Sequence, residues 1–132
     1  MSTKIVVTDY LEPDFNWEKA QLRSRNFDFA WSEHQLKFAG EDELVRAVGD
    51  AEVVVVNMAR LTAGVLRRLP RCKLIIRHGI GYDNVDLAAA TARGIRVANV
   101  PDYCPDEVAE QSLLLILAAA RHLPEQLASM EA

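Results

Sequence analysis

The sequence predicts an α/β fold built on a parallel sheet with helices on both faces. Short apolar segments alternate with helical patterns along the chain, which is the rhythm of successive β-α-β units and not of a meander. The run Val53-Val54-Val55-Val56 is β-branched and apolar at every position, as a central parallel strand covered from both sides must be. The run Leu74-Ile75-Ile76 is followed by Arg77-His78-Gly79-Ile80-Gly81-Tyr82-Asp83-Asn84-Val85-Asp86, a turn with two glycines that leads from a strand into a helix.

The elements read in order as follows. Lys4 to Thr8 is a first strand closed by Asp9, and Asp14 to Arg25 is a modest helix with Phe15, Ala20 and Leu22 facing inward. Between Phe27 and Phe38 the pattern of Phe29, Trp31, Leu36 and Phe38 fits a strand pair or one strand and a loop equally well. Glu41 to Val48 has the helical spacing of Leu44, Val45 and Val48, with Gly49 where a C-terminal cap belongs. After the valine strand, Thr62 caps a short helix containing Val65, Leu66 and Leu69, and Pro70 stops it before the strand Leu74–Ile76. Leu87 to Arg93 is a helix ended by Gly94, with Asp83, Asn84 and Asp86 as capping residues, and Ile95 to Ala98 is the fifth strand, broken by Asn99-Val100-Pro101. Asp106 to His122 is the longest helix. Its acidic residues Asp106, Glu107 and Glu110 sit near the N-terminus and Arg121 and His122 near the end, as the helix dipole favours.

That last helix carries Val108, Leu113 to Leu117 and Ala118 to Ala120, so apolar side chains wrap well over half its circumference. Such helices are normally buried on several sides, and a lone domain offers its terminal helix one side only. The helix therefore calls for a neighbour, unless it is simply a leucine-rich terminal helix.

Composition narrows the function. The chain has 132 residues, half of them hydrophobic and 26% charged, which suits one globular domain with a real core. A net charge of -4 with no basic block argues against a nucleic-acid partner. No segment approaches the ~20 consecutive apolar residues of a membrane span, so neither membrane insertion nor secretion is expected. Cys72 and Cys104 are isolated, with no metal-ligand spacing, and reduced thiols in the cytoplasm fit them best.

In the turn, Gly79 and Gly81 lack a Cβ and can take φ > 0, so the backbone can curl and direct N–H groups at a small anion. A dinucleotide fingerprint is the tempting alternative. It fails at Asn84, which stands where the third glycine belongs, and the next strand, Arg96-Val97-Ala98, does not end in the acidic ribose ligand. The glycines could also serve only to make a tight turn. Arg60 lies just past the third strand and Arg77 at the end of the fourth, where ligands of open parallel sheets bind, although a plain surface role is open to both. None of the three histidines reads as a general base: His34 lies in the ambiguous region, His122 at a helix end, and His78 beside the turn with no evident orienting carboxylate.

The pieces Gly79-Ile-Gly-Tyr-Asp-Asn-Val-Asp86, Ala88-Ala-Ala-Thr-Ala-Arg-Gly-Ile95, Val97-Ala-Asn-Val-Pro101 and Glu107-Val-Ala-Glu110 resemble, in that order, the D-isomer-specific 2-hydroxyacid dehydrogenases. Within the family the likeness is to the branch of C-terminal-binding protein and phosphoglycerate dehydrogenase. It covers Arg71 to Arg121; residues 1–70 resemble the family only in strand rhythm. The resemblance implies a flavodoxin-like, doubly wound, five-stranded sheet of order 2-1-3-4-5, with residues 1–102 as the substrate-binding domain. Residues 103–132 would be the hinge and helix leading toward a nucleotide-binding domain not present in the sequence. It implies that His78, Gly79, Ile80, Gly81 and Arg60 bind the substrate, that the turn backbone holds its carboxylate, and that Ile80 also touches the nicotinamide of NAD or NADP. Asn99 and Pro101 would form the hinge. The family's catalytic arginine, its carboxylate partner, its acid/base histidine and its phosphate loop all lie beyond this sequence, so no catalytic residue and no metal site is expected here.

The expected function is therefore the substrate-binding part of an NAD(P)-dependent dehydrogenase of 2-hydroxy acids, inactive alone and binding 2-hydroxy or 2-keto acids weakly. No cofactor is expected on this chain by itself. The alternative is a self-associating fragment or interaction module that pairs as a homodimer through the helix 106–122.

Overall fold

The structure, a computed structural model, describes residues 2–130. Glu131 and Ala132, the end of the expected terminal segment, lie outside the described residues. Five strands form one all-parallel sheet in the order β2-β1-β3-β4-β5, which is the doubly wound order expected from the sequence. They are β1 (Thr3–Val7), β2 (Phe29–Glu33), β3 (Val53–Val56), β4 (Leu74–Arg77) and β5 (Arg96–Ala98). Helices α1 (Asn16–Ser24), α2 (Glu41–Val48), α3 (Ala63–Arg67) and α4 (Leu87–Ala92) connect them.

The ambiguous stretch resolves into one strand and a loop. β2 pairs with β1 from Thr3 opposite Phe29 to Val7 opposite Glu33. Edge position explains the weak signal, because only one side of β2 carries a ladder. Its other constraints are side-chain contacts: Lys19 reaches Glu33, and the Trp31 indole N–H donates to the same carboxylate at 2.7 Å.

The two sheet faces are unequal. Val6, Val54, Val56 and Ile75 are fully buried together with Leu44 and Val48 of α2, Val65 and Leu66 of α3 and Ala90 of α4. Burying each such aliphatic side chain contributes ~1.5–3 kcal/mol, so this face supplies most of the core's stabilisation. On the opposite face, Ile5, Val53, Val55, Leu74 and Ile76 line an apolar groove of about 450 Å³ with Trp17 and Leu22 of α1. No residue of α1 is buried. Ala20, expected to face inward, is exposed, while Phe15 is buried just before the helix starts.

Caps follow local chemistry. The Thr62 hydroxyl accepts from the Val65 N–H at 3.2 Å to start α3. That helix ends at Arg67, so Leu69 is buried in the turn beyond it and not on the helix, and Pro70 follows that turn. Gly49 takes φ 55 after α2, as a C-terminal glycine should. Of the three candidate caps for α4, only Asp86 serves, accepting from the Ala89 N–H at 2.9 Å.

Two compact units result, Met1–Pro101 and Asp102–Ala132. In the second, the expected helix 106–122 is α5 (Pro105–Ala120), ending two residues early, and a further helix, α6 (Leu123–Met130), follows it. His122 takes φ 51 and breaks the helix, so Arg121 and His122 stand past the last turn of α5 and not within it. Leu113 to Leu117 are 54 to 64% exposed. Among the described residues no helix is long and apolar enough to cross a membrane.

Candidate functional site

Carboxyl ends of parallel strands converge where the connecting loops diverge, and that is where this chain collects its polar side chains. Loop 57–60 follows β3 and turn 78–84 follows β4. Their continuations are joined by a bridge: Leu61 N–H donates to Asn84 C=O at 2.9 Å, and Asp86 N–H to Leu61 C=O at 3.0 Å.

The turn itself has an asymmetric hydrogen-bond account. Gly79 C=O accepts from Val100 N–H at 3.0 Å, and Ile80 C=O accepts from the Asn99 side-chain amide at 2.7 Å. Among the described residues the N–H groups of Ile80 and Gly81 donate to nothing. Ile80 is half-buried, where a backbone donor is rarely left so, while Gly81 is exposed. The turn therefore spends its acceptors on the fold and keeps two consecutive donors, the arrangement that suits a carboxylate.

Only one glycine needs its conformational freedom. Gly79 is buried and takes φ 151, and a Cβ there would lie 1.7 Å from Nη1 of Arg77. Gly81 keeps an ordinary φ and is exposed, and a Cβ would meet only the Asp83 carboxylate, at 3.1 Å. Of the two glycines able to take φ > 0, Gly79 alone does so. Arg77 is packed under the turn, and its Nε is buried with no hydrogen-bond partner among the described residues.

Beside the turn, a cleft of about 280 Å³ is lined by Asn57, Met58, Arg60, Arg77, Asp83 and Asn84. A second, of about 250 Å³, is lined by Arg60, Leu61, Thr62 and residues 83–86. The structure thus places Arg60 and Arg77 on one cleft, with the Asp83 carboxylate on the same wall. His78, Gly79, Ile80 and Gly81 line neither; they stand next to it along the chain. A roomier hollow of about 550 Å³ lies along β2, between Lys19 and Glu33, at the sheet's edge and away from the loops that carry the turn.

His78 departs from expectation. Its Nδ1 lies 3.6 Å from a carboxylate oxygen of Glu12, and its ring is 6.5 Å from that of Phe15. Glu12 belongs to the β1–α1 loop, which reaches past β3 to the end of β4, and nothing in the local sequence around His78 announces it. Asn84, noticed in the sequence only as a missing glycine, proves to be a fastener: its amide donates to the C=O of Asn57 and of Ala59. Asn99 is tied to the turn as described, whereas Pro101 is exposed at the boundary between the two units. Among the described residues no group of three or more His, Cys, Asp or Glu is placed to hold a metal ion.

Comparison with known proteins identifies the family and agrees with the fold. Residues 10–124 match the profile of the family described as D-isomer specific 2-hydroxyacid dehydrogenase, catalytic domain. The chain is 41% identical over 92 residues to D-3-phosphoglycerate dehydrogenase of Methanocaldococcus jannaschii, covering 69% of this chain and 18% of that protein. It is 38% identical over 101 residues to hydroxypyruvate reductase of Thermotoga maritima, covering 76% of this chain and 32% of that one. Among solved structures, the TT0316 protein of Thermus thermophilus superposes with a TM-score of 0.78 at 31% identity, over 96% of this chain and 39% of that one. An NAD+-bound 3-phosphoglycerate dehydrogenase of Entamoeba histolytica superposes with a TM-score of 0.61 at 25% identity, over 75% of this chain and 33% of that one. The chain therefore spans less than half the length of each of these relatives.

Proposed function

Because the chain belongs to the D-isomer specific 2-hydroxyacid dehydrogenase family, we propose that it forms the substrate-binding part of an NAD(P)-dependent oxidoreductase of 2-hydroxy acids, with the turn 79–81 gripping the acid. The observation that carries this is the pair of uncommitted N–H groups on Ile80 and Gly81, beside carbonyls already bonded within the fold. A 2-keto or 2-hydroxy acid would place its carboxylate on those two donors. Arg60, exposed on the adjoining cleft, adds attraction for the anion, and His78 stands at the turn's entrance with Glu12 beside it.

The residues present do not fit a dinucleotide phosphate cradle. After Gly81 the chain runs through Tyr82 to Asp86 before α4 begins at Leu87, so no helix N-terminus opens at the turn, and α4 is only six residues long. A nicotinamide cofactor bound by the whole enzyme would meet an apolar contact from Ile80 on this chain. Hydride transfer to or from NAD(P) belongs to the whole enzyme, and these 132 residues alone do not catalyse it. Two charge-assisted hydrogen bonds contribute ~3–6 kcal/mol together, while association costs an estimated ~4–15 kcal/mol of lost freedom. Binding to the chain alone is millimolar or weaker.

A titration of the ¹⁵N-labelled chain with a 2-keto acid tests the reading. The Ile80 and Gly81 amides move first and furthest, and the chain oxidises no NADH when the acid is supplied. Movement elsewhere with none in the turn would reject the site, and NADH turnover by the chain alone would reject the claim of inactivity. A second reading, self-association through α5, is favoured by the exposure of Leu113 to Leu117. Light scattering that shows one monomeric mass at all concentrations would remove it.

A further inference from the structure

Asp9 lies two residues past the end of β1 and is 2% exposed. One of its oxygens, Oδ1, accepts from the Thr8 hydroxyl at 2.8 Å and from the N–H groups of Asn57 and Ala59 at 3.3 and 3.2 Å. The other, Oδ2, accepts from the Met58 N–H at 2.6 Å. Among the described residues no cation bonds to it, so this buried carboxylate is solvated by oriented N–H and O–H dipoles alone. The three N–H groups are consecutive, and all belong to the loop after β3.

The same loop is held from its other polar edge. The Asn84 amide donates to Asn57 C=O at 3.2 Å and to Ala59 C=O at 2.9 Å. Asp9 thus takes the donors of residues 57–59 and Asn84 takes two of their acceptors. Two side chains from different strand ends converge on three residues, and the residue that follows is Arg60, which lines both clefts beside the turn. Asn84 itself sits in the turn's own segment, so the clamp ties the Arg60 loop to the part of the chain that carries the uncommitted donors.

We propose that Asp9 is a positioning residue for acid binding: with Asn84 as its counterpart, it fixes the loop 57–59 so that the Arg60 guanidinium is kept over the cleft next to the turn. It touches no substrate and acts through Arg60. This rests on the reading that the turn binds a 2-keto acid. A carboxamide in place of the carboxylate turns an NH₂ toward N–H donors, so Asp9→Asn releases part of the loop while keeping the side chain's shape.

The test uses pyruvate as the probe and the Ile80 and Gly81 amide shifts as the readout, on the wild-type chain, D9N, R60M and the D9N/R60M double variant, each at low and high salt. D9N and R60M each raise the Kd about five-fold, and the double variant raises it no further, the pattern of two residues acting as one unit. The salt dependence of the wild-type Kd flattens in all three variants, because the screened charge is Arg60. An unchanged Kd in D9N, or effects of D9N and R60M that multiply in the double variant, overturns the proposal; so does a D9N penalty that persists at full size in the R60M background. Wild-type pyruvate titrations with no shift at Ile80 and Gly81 would instead reject the binding site. The positioning claim is then decided on the ligand-free protein: D9N lowers the {¹H}-¹⁵N heteronuclear NOE at Met58 to Arg60 while β1 keeps its values, and an unchanged NOE there refutes it. Should D9N not fold, Asn84→Ala releases the loop from the opposite edge and must show the same coupling to R60M.

Discussion

Leu66 and Leu115 are both leucines on helices in the same chain, yet the first is wholly buried and the second is 59% exposed. The contrast holds for the two units at large. In the first, α2, α3 and α4 each bring an apolar stripe onto the valines and isoleucine of one sheet face. In the second, α5 and α6 have no buried residue at all. Hydrophobic content therefore does not by itself decide burial; within the first unit, packing of the helices on a sheet face does. The sheet is the scaffold, and the loops at its carboxyl ends carry the candidate site.

Truncation to alanine separates the two leucines by the largest expected effect. Leu66→Ala removes a fully buried side chain from the main core and costs ~2–5 kcal/mol, read as a lowered urea midpoint. Leu115→Ala changes the midpoint by less than ~0.5 kcal/mol, as expected of an exposed site. Equal costs would show that α5 belongs to the folded core. A smaller loss is expected at the turn. Gly79→Ala forces φ 151 on a residue with a Cβ and drives that atom into the Arg77 guanidinium. It costs ~1–3 kcal/mol of backbone strain and removes the pyruvate response of Ile80 and Gly81. Gly94→Ala, at φ 68 with open space around the new atom, costs only about 1 kcal/mol and leaves that response intact. If the two substitutions proved alike in both readouts, the turn would be an ordinary one.

Cysteine chemistry sharpens the comparison with the smallest effect on stability. Burial pushes the Cys72 thiol up to about 11, whereas Cys104, ahead of α5, is half-buried. At pH 8 an alkylating reagent modifies Cys104 at least ~10-fold faster than Cys72, because the thiolate is the nucleophile. Peptide mass mapping of the first modified site checks this, and the melting temperature is unchanged by it. Modification of Cys72 first would mean that the first unit opens readily.

Much of the fold could be read from the sequence because a buried parallel strand writes its environment into every residue, as Val53 to Val56 do. α2 and the glycine after it were equally legible, since caps and periodicity are local. What was not legible depended on partners far along the chain. Whether Phe29 to Phe38 held one strand or two turned on its single neighbour β1. The end of α5 was misplaced because Arg121 and His122 satisfy the dipole pattern of a helix terminus yet lie past it, at a break made by a positive φ. At the site, Gly79 and Arg60 stood out by type and position, but Glu12 beside His78, and the Asp9 and Asn84 clamp on residues 57–59, arise only when the carboxyl ends of β1, β3 and β4 are brought together. An aspartate after a strand carries no local mark of whether its carboxylate is solvated by water or by three N–H groups.

Recognition of a carboxylate by its charge and by two backbone donors is the role proposed for the turn. It is tested most directly by titrating the ¹⁵N-labelled chain with pyruvate and, in parallel, with pyruvamide, which matches it in shape but carries no charge. Saturable shifts at Ile80 and Gly81 are expected with pyruvate, and none with pyruvamide at equal concentration. Equal shifts with both compounds, or pyruvate shifts confined to other residues, would contradict it.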